Sequence, residues 1–216
     1  MLEKMDDFFE KRLSIYDEHM LTEIEGAREF YKFTASLLPK QSKVAVLDLG
    51  CGTGLELEQY FALNPDAFVT GIDLTKGMLD ALKAKFPEKN LKLICGSYFD
   101  IDFGVGIFDS AVSVESLHHF TKERKLSLYK KLLNSLKADG YFVLTDYFAE
   151  SEELEREYFE TLEKLKKEQG INDNEFYHYD TPLTVENEIM VLKNAGFKSV
   201  EILKNWGATY TLLAKR

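Results

Sequence analysis

Residues 46–54 read Val-Leu-Asp-Leu-Gly-Cys-Gly-Thr-Gly, an apolar run that breaks into alternating glycines before a helical pattern begins at Leu55. Glycines at such a turn let the backbone take positive φ and approach a ligand closely, and the N-terminus of the following helix offers unpaired N–H groups. A ligand rich in acceptor groups therefore belongs at this spot. A triphosphate loop needs Lys and then Ser or Thr after its last glycine, but Gly54 is followed by Leu55 and Glu56. The dinucleotide pattern, started at Gly50, needs glycine at position 55, where Leu55 stands.

Two carboxylates narrow the ligand further. Asp73 lies nineteen residues beyond Gly54, in Gly71-Ile-Asp-Leu-Thr75, where a carboxylate at a strand end can accept two hydrogen bonds from ribose hydroxyls. Asp48 precedes the glycines and suits an ammonium group. A ligand that carries both ribose and an amine answers to S-adenosylmethionine.

The elements that must position these groups follow from the apolar pattern. Strand-length runs occur at 44–49, 68–72, 91–95, 108–114, 141–147, 200–203 and 208–214, alternating with helical periodicity at 55–63, 78–86 and 126–136. This predicts a doubly wound α/β fold with a mostly parallel seven-stranded sheet. The first run is almost continuously apolar, as expected of a central strand covered on both faces. Only Lys204–Gly207 separate the last two runs, too few residues for a helical crossover, so the C-terminal strand should be antiparallel. Two helical stretches fall outside the alternation: residues 1–38, read as an N-terminal helical lid, and the segment 151–181, read as an inserted helical lid. The whole chain reads as a single domain.

Composition limits the partners. With 37 acidic and 27 basic residues the formal charge is −10, which repels phosphate backbones and argues against nucleic acid. No stretch approaches the roughly 18 apolar residues of a membrane span, and MLEKMDDFFEKR is too charged for a secretory signal. A cytoplasmic location with reduced cysteines is expected. The histidines His19, His118, His119 and His178 show no metal-ligand spacing, and adjacent residues diverge on a helix, so no metal is expected.

The motifs resemble those of the class I S-adenosylmethionine-dependent methyltransferases from Val44 to the C-terminus. Residues 46–54 look like that family's first motif and 71–75 like its ribose motif. Phe108–Val114 followed by Leu117-His-His119 resembles its fourth-strand motif, and 136–144 its turn into the fifth strand. The resemblance implies that Gly50, Cys51 and Gly52 border the methionine portion, that Asp73 holds the ribose, and that Leu74 and Met78 pack on adenine. Val114 and Tyr98 join this cofactor set. Ser97 stands where the family commonly has an acid facing the adenine amino group, so either Ser97 or Asp100 serves there. Tyr16 is placed over the methionine end. Tyr177, His178 and Tyr179 are placed along the acceptor pocket.

Methyl transfer is an in-line displacement on an activated carbon, so the protein has to align the nucleophile, exclude water and, where needed, take a proton. Glu115, His118 and His119, which leave the same sheet edge, are the candidate catalytic groups. The expected reaction moves a methyl group to O, N or C of a small-molecule acceptor, leaving S-adenosylhomocysteine, in a monomer or homodimer. Two alternatives stay open. The termini also resemble carboxy-S-adenosylmethionine synthase, although Gly52 and Thr53 follow the methyltransferase form of the loop; a non-catalytic S-adenosylmethionine-binding module is the other.

Overall fold

The computed structural model describes residues 1–171 and 175–216. In chain order the elements are α1 (Met5–Glu23), α2 (Ala27–Leu37), β1 (Ala45–Leu49), α3 (Leu55–Leu63), β2 (Phe68–Asp73), α4 (Lys76–Lys85) and β3 (Asn90–Cys95). Then come β4 (Phe108–Val114), α5 (Lys122–Ser135), β5 (Leu136–Tyr147), α6 (Glu152–Gln169), α7 (Val185–Ala195), β6 (Ser199–Trp206) and β7 (Thr209–Lys215). The seven strands form one sheet in the order β3-β2-β1-β4-β5-β7-β6. All neighbours pair in parallel except β7, which runs antiparallel to both β5 and β6. Reversal of the strand order between β1 and β4 opens a crevice at the carboxyl ends of those strands.

Successive side chains of the central strands enter opposite cores. Leu47, Leu49, Ala111, Phe142 and Leu144 pack under α5 and α7, while Val46, Val112 and Val143 pack under α2, α3 and α4. Both faces of β1 are therefore apolar because both are covered. Side-chain caps place the starts of three helices: Thr121, Ser151 and Thr184 accept the backbone N–H groups of Arg124, Leu154 and Asn187.

Several boundaries differ from the sequence expectation. β5 starts at Leu136 rather than Tyr141, because buried Leu136 pairs with Phe108 before residues 137–140 loop out of register. β6 continues through Lys204 and Asn205, whose polarity is compatible with an edge strand that has one face in water. Helix α7 falls between the fifth and sixth strands; the cap at Thr184 and the stripe Val185, Val191, Leu192 and Ala195 are its signal in the sequence. The N-terminal stretch divides into two helices at Gly26, whose φ of 73° suits glycine and whose Cβ would strike Trp206. Among the described residues no helix is long and apolar enough to cross a membrane.

The two stretches outside the alternation meet each other. Met5 donates its backbone N–H to the Phe176 carbonyl at 2.9 Å, and His178 donates its own to the Glu3 carbonyl at 3.0 Å. The start of the chain and residues 176–178 are thus joined by backbone hydrogen bonds over the carboxyl edge of the sheet.

Candidate active site

The glycine turn is held against β2 by its own backbone. Gly50 and Cys51 both donate to the Ile72 carbonyl, at 2.8 and 3.2 Å, and Gly52 donates to Asp73 Oδ2 at 2.9 Å. The other oxygen of Asp73 accepts the Thr75 N–H at 2.8 Å. A carboxylate has about four acceptor sites, so two remain for hydroxyl groups. Gly50, Gly52 and Gly54 all have positive φ, and a Cβ on Gly50 would come within 2.0 Å of Ser116 Oγ. Only glycine closes this turn without displacing the next loop.

Gly50, Gly52, Asp73 and Thr75 line a cavity that also takes in Tyr16, Leu74, Met78, Ser97, Tyr98, Glu115 and His119. Tyr16 comes from α1 and lies over the turn: its hydroxyl is 3.7 Å from where a Gly52 Cβ would sit. Burial, followed by the Asp73 charge, pushes its hydroxyl pKa far up, so Tyr16 stays a neutral donor. The cavity wall includes Phe9 of α1 and Phe176, which the sequence did not mark.

Three expected cofactor residues do not border the cavity. Cys51 is buried with Sγ against Gly71, and Val114 is buried in the core beside α2 and α3. Asp48 is buried beneath the turn, and both its carboxylate oxygens lack a hydrogen-bond partner, as does Oε1 of neighbouring Glu56. Asp100 corrects the alternative assignment at the adenine end: it is exposed and faces a separate groove, while Ser97 remains on the cavity wall.

The orphaned acids under the turn fit a cationic ligand above it. Burial, then the Glu56 charge, raises the Asp48 pKa well above the carboxylate range, and burial raises that of Glu56. A carboxyl whose pKa is raised on folding contributes stability below its unfolded pKa and loses it as pH rises through the folded one. An ammonium group bound at the turn would offset that loss through space. The thermal stabilisation conferred by saturating S-adenosylhomocysteine should therefore grow as pH increases, and Asp48→Asn should flatten the trend in a melting series. A pH-independent ligand effect in the wild type would remove this role. Asp73→Ala should weaken S-adenosylhomocysteine binding by about 1.5–3 kcal/mol, the scale of hydrogen bonds to a charged group; calorimetry giving unchanged affinity in a folded variant would reject ribose binding by Asp73.

A second cavity of about 660 Å³ adjoins the first, and Phe9, Tyr16, Glu115 and His119 line both. Glu115 has φ of 49°, uncommon for a residue with a side chain, and is held there by its N–H to the Thr145 carbonyl at 2.9 Å. Its Oε1 accepts the Thr209 hydroxyl at 3.1 Å. Burial, then the nearby Asp146 charge, raises its pKa to about 7.

The histidines occupy a turn, not a helix, and the expectation that they diverge is overturned. Their ring centroids are 4.0 Å apart, and His118 Nε2 and His119 Nδ1 lie 3.5 and 3.2 Å from the same Asp180 oxygen. The other nitrogen of His118, Nδ1, is 2.6 Å from Asp146 Oδ1 at the end of β5. Burial would lower the His118 pKa, but Asp146 and Asp180 outweigh it and hold it well above the ordinary value. Burial and then His118 lower that of His119. Of Tyr177, His178 and Tyr179, His178 lines the second cavity, whereas the Tyr177 side chain lies outside bonded to Glu175. Asp146 and Asp180 were not recognised as site residues; Asp180 stood beside the aromatic cluster without a spacing that tied it to the histidines.

Residues 46–140 match the model of a family described as a methyltransferase domain. That match takes in the glycine turn, Asp73 and the candidate groups Glu115, His118 and His119. The chain is a methyltransferase-type enzyme, and its cofactor is S-adenosylmethionine. A carboxy-S-adenosyl-L-methionine synthase of Helicobacter hepaticus is 27% identical over 98% of this chain and 90% of its own length. A tRNA (carboxymethyluridine(34)-5-O)-methyltransferase of Xenopus tropicalis is 29% identical over 81% of this chain, which covers 26% of that protein. Among solved structures, a Nostoc punctiforme protein assigned as a candidate O-methyltransferase superposes with a TM-score of 0.70 at 20% identity. That match takes in 97% of this chain and 59% of the other, and it speaks for the fold.

Proposed function

We propose that this methyltransferase delivers its methyl group to a small-molecule acceptor held in the second cavity. The observation that carries this reading is the shared wall: Tyr16, Glu115 and His119 face both the glycine-turn cavity and its neighbour. S-adenosylmethionine, when bound, supplies a methyl group on an electrophilic sulfonium. Gly50, Gly52 and Tyr16 surround its methionine end, Asp73 takes the ribose hydroxyls, and Leu74, Met78, Ser97 and Tyr98 enclose the adenine. Asp48, Cys51 and Val114 support that surface from beneath. The joined N-terminal and 176–178 segments exclude water from the wall.

A volume of about 660 Å³ suits a metabolite, because small-molecule pockets commonly span about 300–1,000 Å³. Glu115 is the proton acceptor best supported by the geometry, since one hydrogen bond from Thr209 leaves its carboxylate free toward the cavity. His118 is engaged by Asp146, and His119 by Asp180 and the Tyr179 carbonyl.

A second reading has one specific support, the nearly full-length similarity to proteins named carboxy-S-adenosyl-L-methionine synthase. Such an enzyme must accommodate a carboxylate on the carbon attached to sulfur. The wall shared by the two cavities presents Glu115, an acid, with the Tyr16 hydroxyl, whereas the cations that an added carboxylate would need, Arg12 and His118, stand on the adjoining cavity. Mass spectrometry of the nucleoside released from purified protein separates the readings. The unmodified cofactor or S-adenosylhomocysteine is expected, together with S-adenosylhomocysteine production on an acceptor panel; a carboxylated sulfonium species would establish the second reading instead.

A further inference from the structure

We propose that His118, His119 and Asp180 form a binding site for a divalent first-row transition metal ion at the wall of the acceptor cavity. His118 Nε2, His119 Nδ1 and an Asp180 carboxylate oxygen lie within 4.8 Å of one another. The two nitrogens stand 3.5 and 3.2 Å from Asp180 Oδ1. Two donors each about 2.0–2.1 Å from a tetrahedral ion are separated by roughly 3.4 Å, so both separations are those of adjacent ligands on one ion.

The surroundings of the three groups also suit a metal. The Asp146 carboxylate sits 2.6 Å from His118 Nδ1 and is buried; it accepts a hydrogen bond from that nitrogen and so aims Nε2 at Asp180, where a bound ion would take the place of the Nε2 proton. A carboxylate behind a ligating histidine is the usual outer-shell arrangement at metal centres. The same Asp146 accepts the Leu117 backbone N–H at 2.9 Å through its second oxygen, which fixes its orientation. His119 Nδ1 donates to the Tyr179 carbonyl at 3.2 Å, and a bound ion would take the place of that proton. Both histidines and Asp180 line the acceptor cavity, so coordination positions not filled by protein open toward the acceptor.

Two imidazoles and one carboxylate suit zinc, iron, cobalt, nickel or manganese in the divalent state, and the three-ligand count leaves room for an exogenous oxygen. An ion there would select acceptors with an oxygen donor, a hydroxyl or carboxylate, and would lower the pKa of a bound hydroxyl. That role rests on the reading of the second cavity as the acceptor site; occupation by the ion does not.

The test uses untagged full-length protein stripped with chelator. Cobalt(II) titration should give visible ligand-field bands of low-coordinate cobalt saturating near one equivalent, and zinc(II) should abolish them by competition. Asp180→Asn, at a side chain that is half exposed and removable without unfolding the chain, should lower cobalt affinity about tenfold or more, as should His119→Gln. Asp146→Asn should weaken binding about 10–100-fold as an outer-shell change. His19→Gln, at an exposed histidine outside the cluster, should leave affinity unchanged. Absence of stoichiometric cobalt uptake, or equal affinity in wild type, Asp180→Asn and His119→Gln, would overturn the site. Calorimetry of S-adenosylhomocysteine on the stripped wild type reports separately on the cofactor reading.

Discussion

Replacing Glu115 with Gln is expected to lower turnover about 10²–10⁴-fold, the contribution of a positioned general base. Gln keeps the size of the side chain and can still accept the Thr209 hydroxyl, now 3.1 Å from Oε1, so the strained turn at residue 115 should survive. What it cannot do is take a proton from an acceptor in the adjoining cavity. The effect should fall on kcat with S-adenosylhomocysteine affinity within about threefold of wild type, because a loss confined to the chemical step lowers kcat without loosening the ground state. Steady-state kinetics with calorimetry distinguishes this from a packing defect. Turnover within about threefold of wild type would exclude Glu115 as the base and mean that the acceptor arrives already ionised or needs no deprotonation.

The largest stability change is expected away from the cofactor. Lys125 of α5 and Glu188 of α7 are 1% and 0% exposed, with Nζ and Oε2 2.5 Å apart, and Tyr129 also donates to Glu188. Lys125→Ala leaves a buried carboxylate without its cation, which costs about 3–5 kcal/mol. For a chain of this length the melting temperature should fall by about 6–20 °C. Replacing the whole cluster with apolar residues, as in Lys125→Met with Glu188→Leu and Tyr129→Phe, should restore most of the loss, since a well-packed apolar set performs about as well as a buried ion pair. Denaturant titration of the two variants checks this, and equal stability of Lys125→Ala and wild type would refute it. The pair also bears on the site: α5 follows the turn that carries both histidines and α7 follows Asp180 by five residues, so this contact joins the two segments whose side chains converge.

The residues that could be read along the chain are those whose meaning is local. The glycine turn at 50–54 announces itself because positive φ demands glycine within a few positions of a buried strand. Asp73 follows at one crossover's distance, and the structure puts both on one cavity. The strand at 108–114 and the helix at 55–63 have the bounds that their periodicity predicts, since spacing of apolar residues directly reflects which face is buried. Misreadings arose where neighbours in space decide: β5 gains Leu136 from its pairing with Phe108, and β6 gains polar residues from its edge position.

By itself, then, the sequence determined the alternating α/β order, the antiparallel close of the sheet and the glycine turn proposed here as the cofactor's seat. Each of these is encoded within one or two turns of chain. Only the tertiary structure decided that His118, His119, Asp146 and Asp180 converge, that Glu115 faces two cavities, and that Asp48 supports the turn from beneath. The histidines and Asp180 are about sixty residues apart and belong to different connections across the same sheet edge, so their meeting depends on strand order and on the α5–α7 contact. Hydrophobic periodicity places side chains on a face; it carries no record of which distant loop arrives opposite them.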